Sequence, residues 1–190
     1  ETPQENALRV EASWDEALTS KDSANNDRQL HHFLIERENA VLRSGHSTAD
    51  VDLWMCKIGQ TRECIGFNTP GRKTSLFKLD SDDLGWNQRD VKDDLNVEIM
   101  TSRRSQLPAG TYVINVHLFS LGKEQLPIVT NVRVLINEGK PNQVTLERQV
   151  ELTAQRQEKN AFMFEVNEEG GIIPDSVTEG MDSMCIATCR

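Results

Sequence analysis

From residue 51 onward the chain alternates apolar and polar positions in short runs, "VDLWMC", "ECIGF", "SLFKL", "NVEIMTS", "TYVINVHLFS", "IVTNVRVLIN", "QVTLERQVELT" and "NAFMFEVN". A period of two is the signature of half-buried strands, and turn residues separate the runs. "LPAGTY" sets Pro108 and Gly110 where a tight reversal needs one fixed and one permissive φ, and "NEGKPNQ" does the same between two long runs. Within "TYVINVHLFS", Tyr112, Ile114, Val116 and Leu118 share one face, expected to be core, and Asn115 and His117 share the other. An earlier run, "ALRVEASW", places Leu8, Val10, Ala12 and Trp14 on one face and predicts the first strand. Seven to nine strands at this spacing, with little helix, predict an all-β fold, an antiparallel β-sandwich.

Two segments interrupt the pattern. Residues 15–29 are polar and turn-rich, and Leu30, Phe33, Leu34, Arg37 and Val41 recur at helical spacing, so a short helical insertion is expected at about 15–48. After Gly170 and Gly171 the strand period is lost, and "GIIPDSVTEGMDSMCIATCR" reads as an irregular acidic tail. The expected organisation is a single sandwich domain over 1–170 with a cysteine-containing tail over 171–190.

Charge narrows the partners. Thirty acidic and 21 basic residues give a net charge of −9, with no Lys/Arg stripe interleaved with aromatics, which argues against a nucleic-acid partner. No run of eighteen apolar residues occurs, so no membrane span is expected in this chain. The chain opens at Glu1 without methionine or a leader-like apolar stretch, which suggests a protein trimmed of an N-terminal signal or anchor.

The cysteines fall in two close pairs, Cys56 with Cys64 and Cys185 with Cys189. Cys56 and Cys64 flank a polar turn between strand-like runs. Facing Cβ atoms of an antiparallel pair lie about 4.5–5.5 Å apart, close enough for a disulfide stapling a hairpin; two reduced buried thiols are the alternative. Cys185 and Cys189 can bridge one another or another segment. Zinc is disfavoured because the usual C-x₂-C spacing is absent. A disulfide would place the protein in an oxidising, extracytoplasmic compartment, periplasmic, cell-surface or secreted.

The segments "ALRVEASW", "DVDLWM", "SLFKLDSDDLG", "NVEIMTSRRSQLPAGTYVINVHLFS" and "VTNVRVLIN" resemble a group of poorly characterised bacterial extracytoplasmic β-sandwich domains. They are broadly similar also to the pre-peptidase C-terminal domains of secreted proteins. The resemblance implies a jelly-roll-like or fibronectin-like sandwich outside the cytoplasm, often tethered to the envelope by an amino-terminal helix.

Candidate chemistry concentrates in carboxylates. Asp50 and Asp52 lie two apart at the start of a strand and project to one face, while "LDSDDLGWN" supplies Asp80, Asp82 and Asp83 in a turn. Hard cations such as Ca²⁺ take six to eight oxygen ligands of this type from loops, so the five aspartates are a candidate calcium set; the alternative is turn and capping chemistry. Trp14 and Trp54 are expected in the core, whereas Trp86, within the acidic turn, is a candidate contact for a glycan or a protein. His31 and His32, adjacent on a helix, diverge by about 100° and make poor joint ligands. No nucleophile elbow, catalytic thiol or Gly-rich phosphate loop occurs, so no catalytic residue is assigned and a non-enzyme is expected. The function expected is a structural or interaction module docking to an envelope or surface assembly, with a protein partner; the alternative is a ligand-binding sandwich, for a glycan or a calcium-dependent partner.

Overall fold

The computed structural model describes residues 7–14, 47–59, 62–83 and 96–180. These form ten strands: β1 (Leu8–Trp14), β2 (Asp50–Ile58), β3 (Glu63–Ile65), β4 (Phe77–Ser81), β5 (Val97–Ser102), β6 (Gly110–Ser120), β7 (Ile128–Ile136), β8 (Val144–Leu152), β9 (Glu158–Val166) and β10 (Thr178–Glu179). All pairings are antiparallel, in two five-stranded sheets. One sheet runs β4-β5-β1-β7-β8 and the other β10-β9-β6-β2-β3. The fold is the expected all-β antiparallel sandwich, and each run of alternating residues read from the sequence contains one of its strands.

The core lies between the two inner faces. Leu8, Val10, Ala12 and Trp14 of β1 meet Tyr112, Ile114, Val116 and Leu118 of β6 in one buried cluster, so both predicted apolar faces point inward. Tyr112 anchors one end of this core. Its ring stacks on Phe164 at 5.5 Å and meets Phe77 edge-on at 6.2 Å, while its hydroxyl donates to the Pro108 carbonyl at 2.8 Å. The turn that begins β6 is thus closed by the first aromatic residue after it.

Trp54 is buried as expected but not in this core. It belongs to a smaller cluster with Cys56 and Val113 on the outer side of the β2-β6 sheet, where Phe67 meets its ring edge-on at 5.8 Å. The chain crosses the indole at Gly66, where a Cβ would sit 2.4 Å from the ring, so only glycine permits this approach.

Three bulges redirect side chains, at Asp50/Val51 in β2–β6, Leu79/Ser81 in β4–β5 and Ile114/Asn115 in β6–β9. The last is filled by Asn160, whose amide donates to the carbonyls of Ile114 and Phe162 and to Asn115 Oδ1. A bulge leaves ladder groups unpaired, and a buried amide answers them in place of water.

The chain does not leave the domain at Gly170 and Gly171. Ile172 bridges Val166, Ile173 donates to Glu165 at 2.9 Å, and β10 pairs with Met163 and Phe162 of β9. The expected helical insertion lies outside the described residues apart from positions 47 and 48, and so does the tail beyond Gly180.

Tyr112→Phe keeps the aromatic packing but deprives Pro108 of its donor, so it is expected to cost about 1 kcal/mol. Tyr112→Ala also opens a cavity and should cost about 3–5 kcal/mol. Chemical denaturation of both variants checks this graded loss.

Candidate functional site: a buried carboxylate cluster

β2 begins with the alternation Asp50-Val51-Asp52-Leu53, which sends Val51 and Leu53 into the core and the aspartates away from it. Both aspartates are nevertheless buried, at 5% and 3% exposure. Asp52 lies opposite His117 of β6, whose Nδ1 is 3.0 Å from Asp52 Oδ2. The pair is formed by strand register, since residues directly opposite on antiparallel strands bring their side chains together.

β3 pairs with β2 only from Met55 to Lys57, so the β3 side of β2 has no strand partner at Leu53. The Leu53 N–H donates instead to Glu98 Oε2 at 2.6 Å. Glu98 comes from β5 in the opposite sheet, where it lies across from Ala12 of β1, and it is completely buried. One carboxylate therefore caps an open place on one sheet from the inner face of the other.

Asp82 follows β4 directly. The bulge at Leu79/Ser81 breaks the alternation between Asp80 and Asp82: the Asp82 side chain is buried and accepts from Arg72 at 2.7 Å, whereas Asp80 is exposed. Asp80 pairs with Lys78 and accepts from Thr101 Oγ1 at 2.5 Å. The five aspartates selected from sequence thus divide. Asp50, Asp52 and Asp82 are close enough to act on one another electrostatically, Asp83 is half-buried and acts on Asp50, and Asp80 is engaged elsewhere.

Glu98 was not anticipated. In "NVEIMTS" the apolar residues Val97 and Ile99 argue for the opposite inward face, yet it is Glu98, Met100 and Ser102 that are buried there. One oxygen from each of Asp52, Asp82 and Glu98 lies within 4.8 Å of the others.

Crowded, dehydrated carboxylates hold protons tightly. Burial above all, then the charges of Asp52, Asp82 and Asp83, raise the Asp50 pKa to about 7, with Arg156 acting in the opposite direction. Burial raises Asp52, against the hydrogen bond and charge of His117. Glu98 is pushed well above the ordinary carboxylate range by burial and by Asp52, and a proton shared with Asp82 favours its neutral form, while the Leu53 N–H opposes the shift. Burial and mutual repulsion thus make the cluster costly to ionise fully.

Cys56 and Cys64 lie directly opposite in β2 and β3, at disulfide-bonding distance with Cα atoms 4.1 Å apart. The expected hairpin staple is thus present one turn of pleat beyond the acidic cluster. Trp86, Cys185, Cys189, His31, His32 and His46 lie outside the described residues, so the glycan contact at Trp86 and the tail pairing carry no geometry.

Comparison with protein-family models, curated proteins and solved structures finds no match to this chain.

Raised carboxyl pKa values mean that folding takes up protons. Their contribution is complete below the unfolded values near 4 and is lost as pH rises, through about 7 for Asp50. In chelating buffer the protein should therefore lose stability relative to Glu98→Gln as pH rises above the ordinary carboxylate range, because the buried Glu98 holds its proton more tightly than it does in the unfolded chain. Thermal melts of both proteins across that rise in pH measure the difference, and parallel curves would show that Glu98 titrates normally.

Proposed function

We propose that the protein is a non-enzymatic interaction module of the extracytoplasmic space, periplasmic or at the cell surface, which takes an extended segment of a partner protein onto the open edge of β8. The observation that carries this reading is the form of that edge. β8 is nine residues long, pairs with β7 in unbroken register from Ile128↔Leu152 to Ile136↔Val144, and has no strand on its other side among the described residues. The other sheet margins are short or bulged: five residues in β4, three in β3 and two in β10.

A long, regular edge presents a row of unpaired N–H and C=O groups, the template used when a partner adds a strand. An open concavity of about 480 Å³ runs beside it, lined by Arg148 to Glu151 of β8 and by Lys159 and Asn160 of β9. The exposed charges Glu147 and Glu151 oppose indiscriminate pairing, so the edge favours a partner whose side chains complement them. The Cys56–Cys64 pair supports the oxidising compartment. The non-enzymatic reading is supported by the occupation of Asp52 with His117 and of Glu98 with the Leu53 amide, and by the separation of these groups from the concavity lining.

Photo-crosslinking residues placed at Gln149 and Glu151, in cells of the native source, are expected to capture one dominant partner, and a crosslinker at Lys78 on the opposite margin is expected to capture none. The β8 amides should gain hydrogen-exchange protection in the isolated complex. Equal capture from both margins, or β8 exchange that is unchanged in the complex, would refute strand addition.

A further inference from the structure

We propose that Asp52, Asp82 and Glu98, with Asp50 beside them, bind a calcium ion that joins the two sheets at the β2–β5 corner. Donor oxygens sharing one calcium at about 2.3–2.6 Å lie no more than about 5 Å apart, which the 4.8 Å limit among these three meets. All the donors are carboxylate oxygens, the choice of a hard cation, and Ca²⁺ tolerates the irregular geometry of ligands drawn from three elements better than Mg²⁺ does.

A second observation, separate from the clustering of acids, points to an ion. Glu98 is completely buried, and in its ionised form Oε1 has no donor to accept from, since Oε2 takes the Leu53 amide and the neighbouring Asp82 is itself a carboxylate. Asp50 Oδ1 is likewise buried without a partner. Buried acceptors are ordinarily satisfied, and an anionic one left alone is more costly than a neutral one. An ion coordinated by Glu98 Oε1 supplies the missing partner and offsets the repulsion among the carboxylates together. His117 fixes the rotation of the Asp52 carboxylate, as a hydrogen-bonded neighbour commonly does for a metal ligand. Asp50 and water would complete the six to eight ligands that Ca²⁺ takes.

The site unites β2 of one sheet with β5 and the end of β4 of the other, so it exists only in the folded protein. Calcium at about one hundred times its Kd should then raise Tm by roughly 5–10 °C for a chain of this size. The experiment is titration calorimetry with CaCl₂ and with MgCl₂, together with thermal melts, on the full chain stripped with chelator. Wild type and Asp80→Asn are expected to bind one calcium per chain with the same affinity, and magnesium more weakly. Glu98→Gln retains an acceptor for the Leu53 amide, so it should melt in chelator no lower than wild type yet bind calcium at least tenfold more weakly. Asp50→Asn provides the same test with a smaller loss should Glu98→Gln fold poorly. No saturable calcium heat and no Tm shift in the wild type would overturn the proposal, as would calcium binding that Glu98→Gln and Asp50→Asn both leave unchanged.

Discussion

One hydrogen bond organises this corner of the molecule: the Leu53 amide of one sheet donating to the fully buried Glu98 carboxylate of the other. β3 is too short to cover β2 at that point, so the amide would otherwise be buried without an acceptor. A neutral acceptor would satisfy it at little electrostatic cost. A carboxylate satisfies it as well but introduces a dehydrated charge, with Asp52 and Asp82 already close by. The corner is therefore costly to ionise fully, and protonation relieves that cost, as the proposed cation would.

The two halves of β2 are secured by different means. From Met55 to Lys57 it has a strand on each side, and Cys56 is linked to Cys64, with Trp54 packed beneath Phe67 on the outer face. From Asp50 to Leu53 its β3 side depends on the carboxylate corner instead. Covalent and hydrophobic contacts hold the first half irrespective of pH, whereas the second rests on titrating carboxylates. The β8 edge, at the far margin of the other sheet, lies away from both, so the proposed strand addition and the proposed ion site can be tested separately.

Strands β1 to β9, the inward faces of β1 and β6 and the Cys56–Cys64 pair were legible in the sequence, because each rests on local alternation or on a short turn, whereas β10 falls in the segment read as an irregular tail. The carboxylate site was half legible. Asp50, Asp52 and Asp82 stood out as acids at fixed spacing, but the bulge at Leu79/Ser81 separates Asp80 from Asp82, and a bulge depends on how two strands pair rather than on either alone. Glu98 was hidden by its neighbours: Val97 and Ile99 make the more apolar face, and the tertiary need for an acceptor at Leu53 overrides that pattern. Trp54 was rightly expected to be buried, yet its location on the outer face follows from the β3 arm and Gly66 folding over it, which no periodicity reveals.

The central claim is that Glu98 carries a displaced proton equilibrium which a cation can take over. Carboxyl-carbon NMR of Glu98, followed against pH in chelator and again with calcium, reads that equilibrium directly. The account predicts that Glu98 keeps its proton to higher pH in chelator than an ordinary carboxyl does, and gives it up at lower pH once calcium is added. A Glu98 that titrates near its ordinary value of 4.5 in both conditions would contradict it.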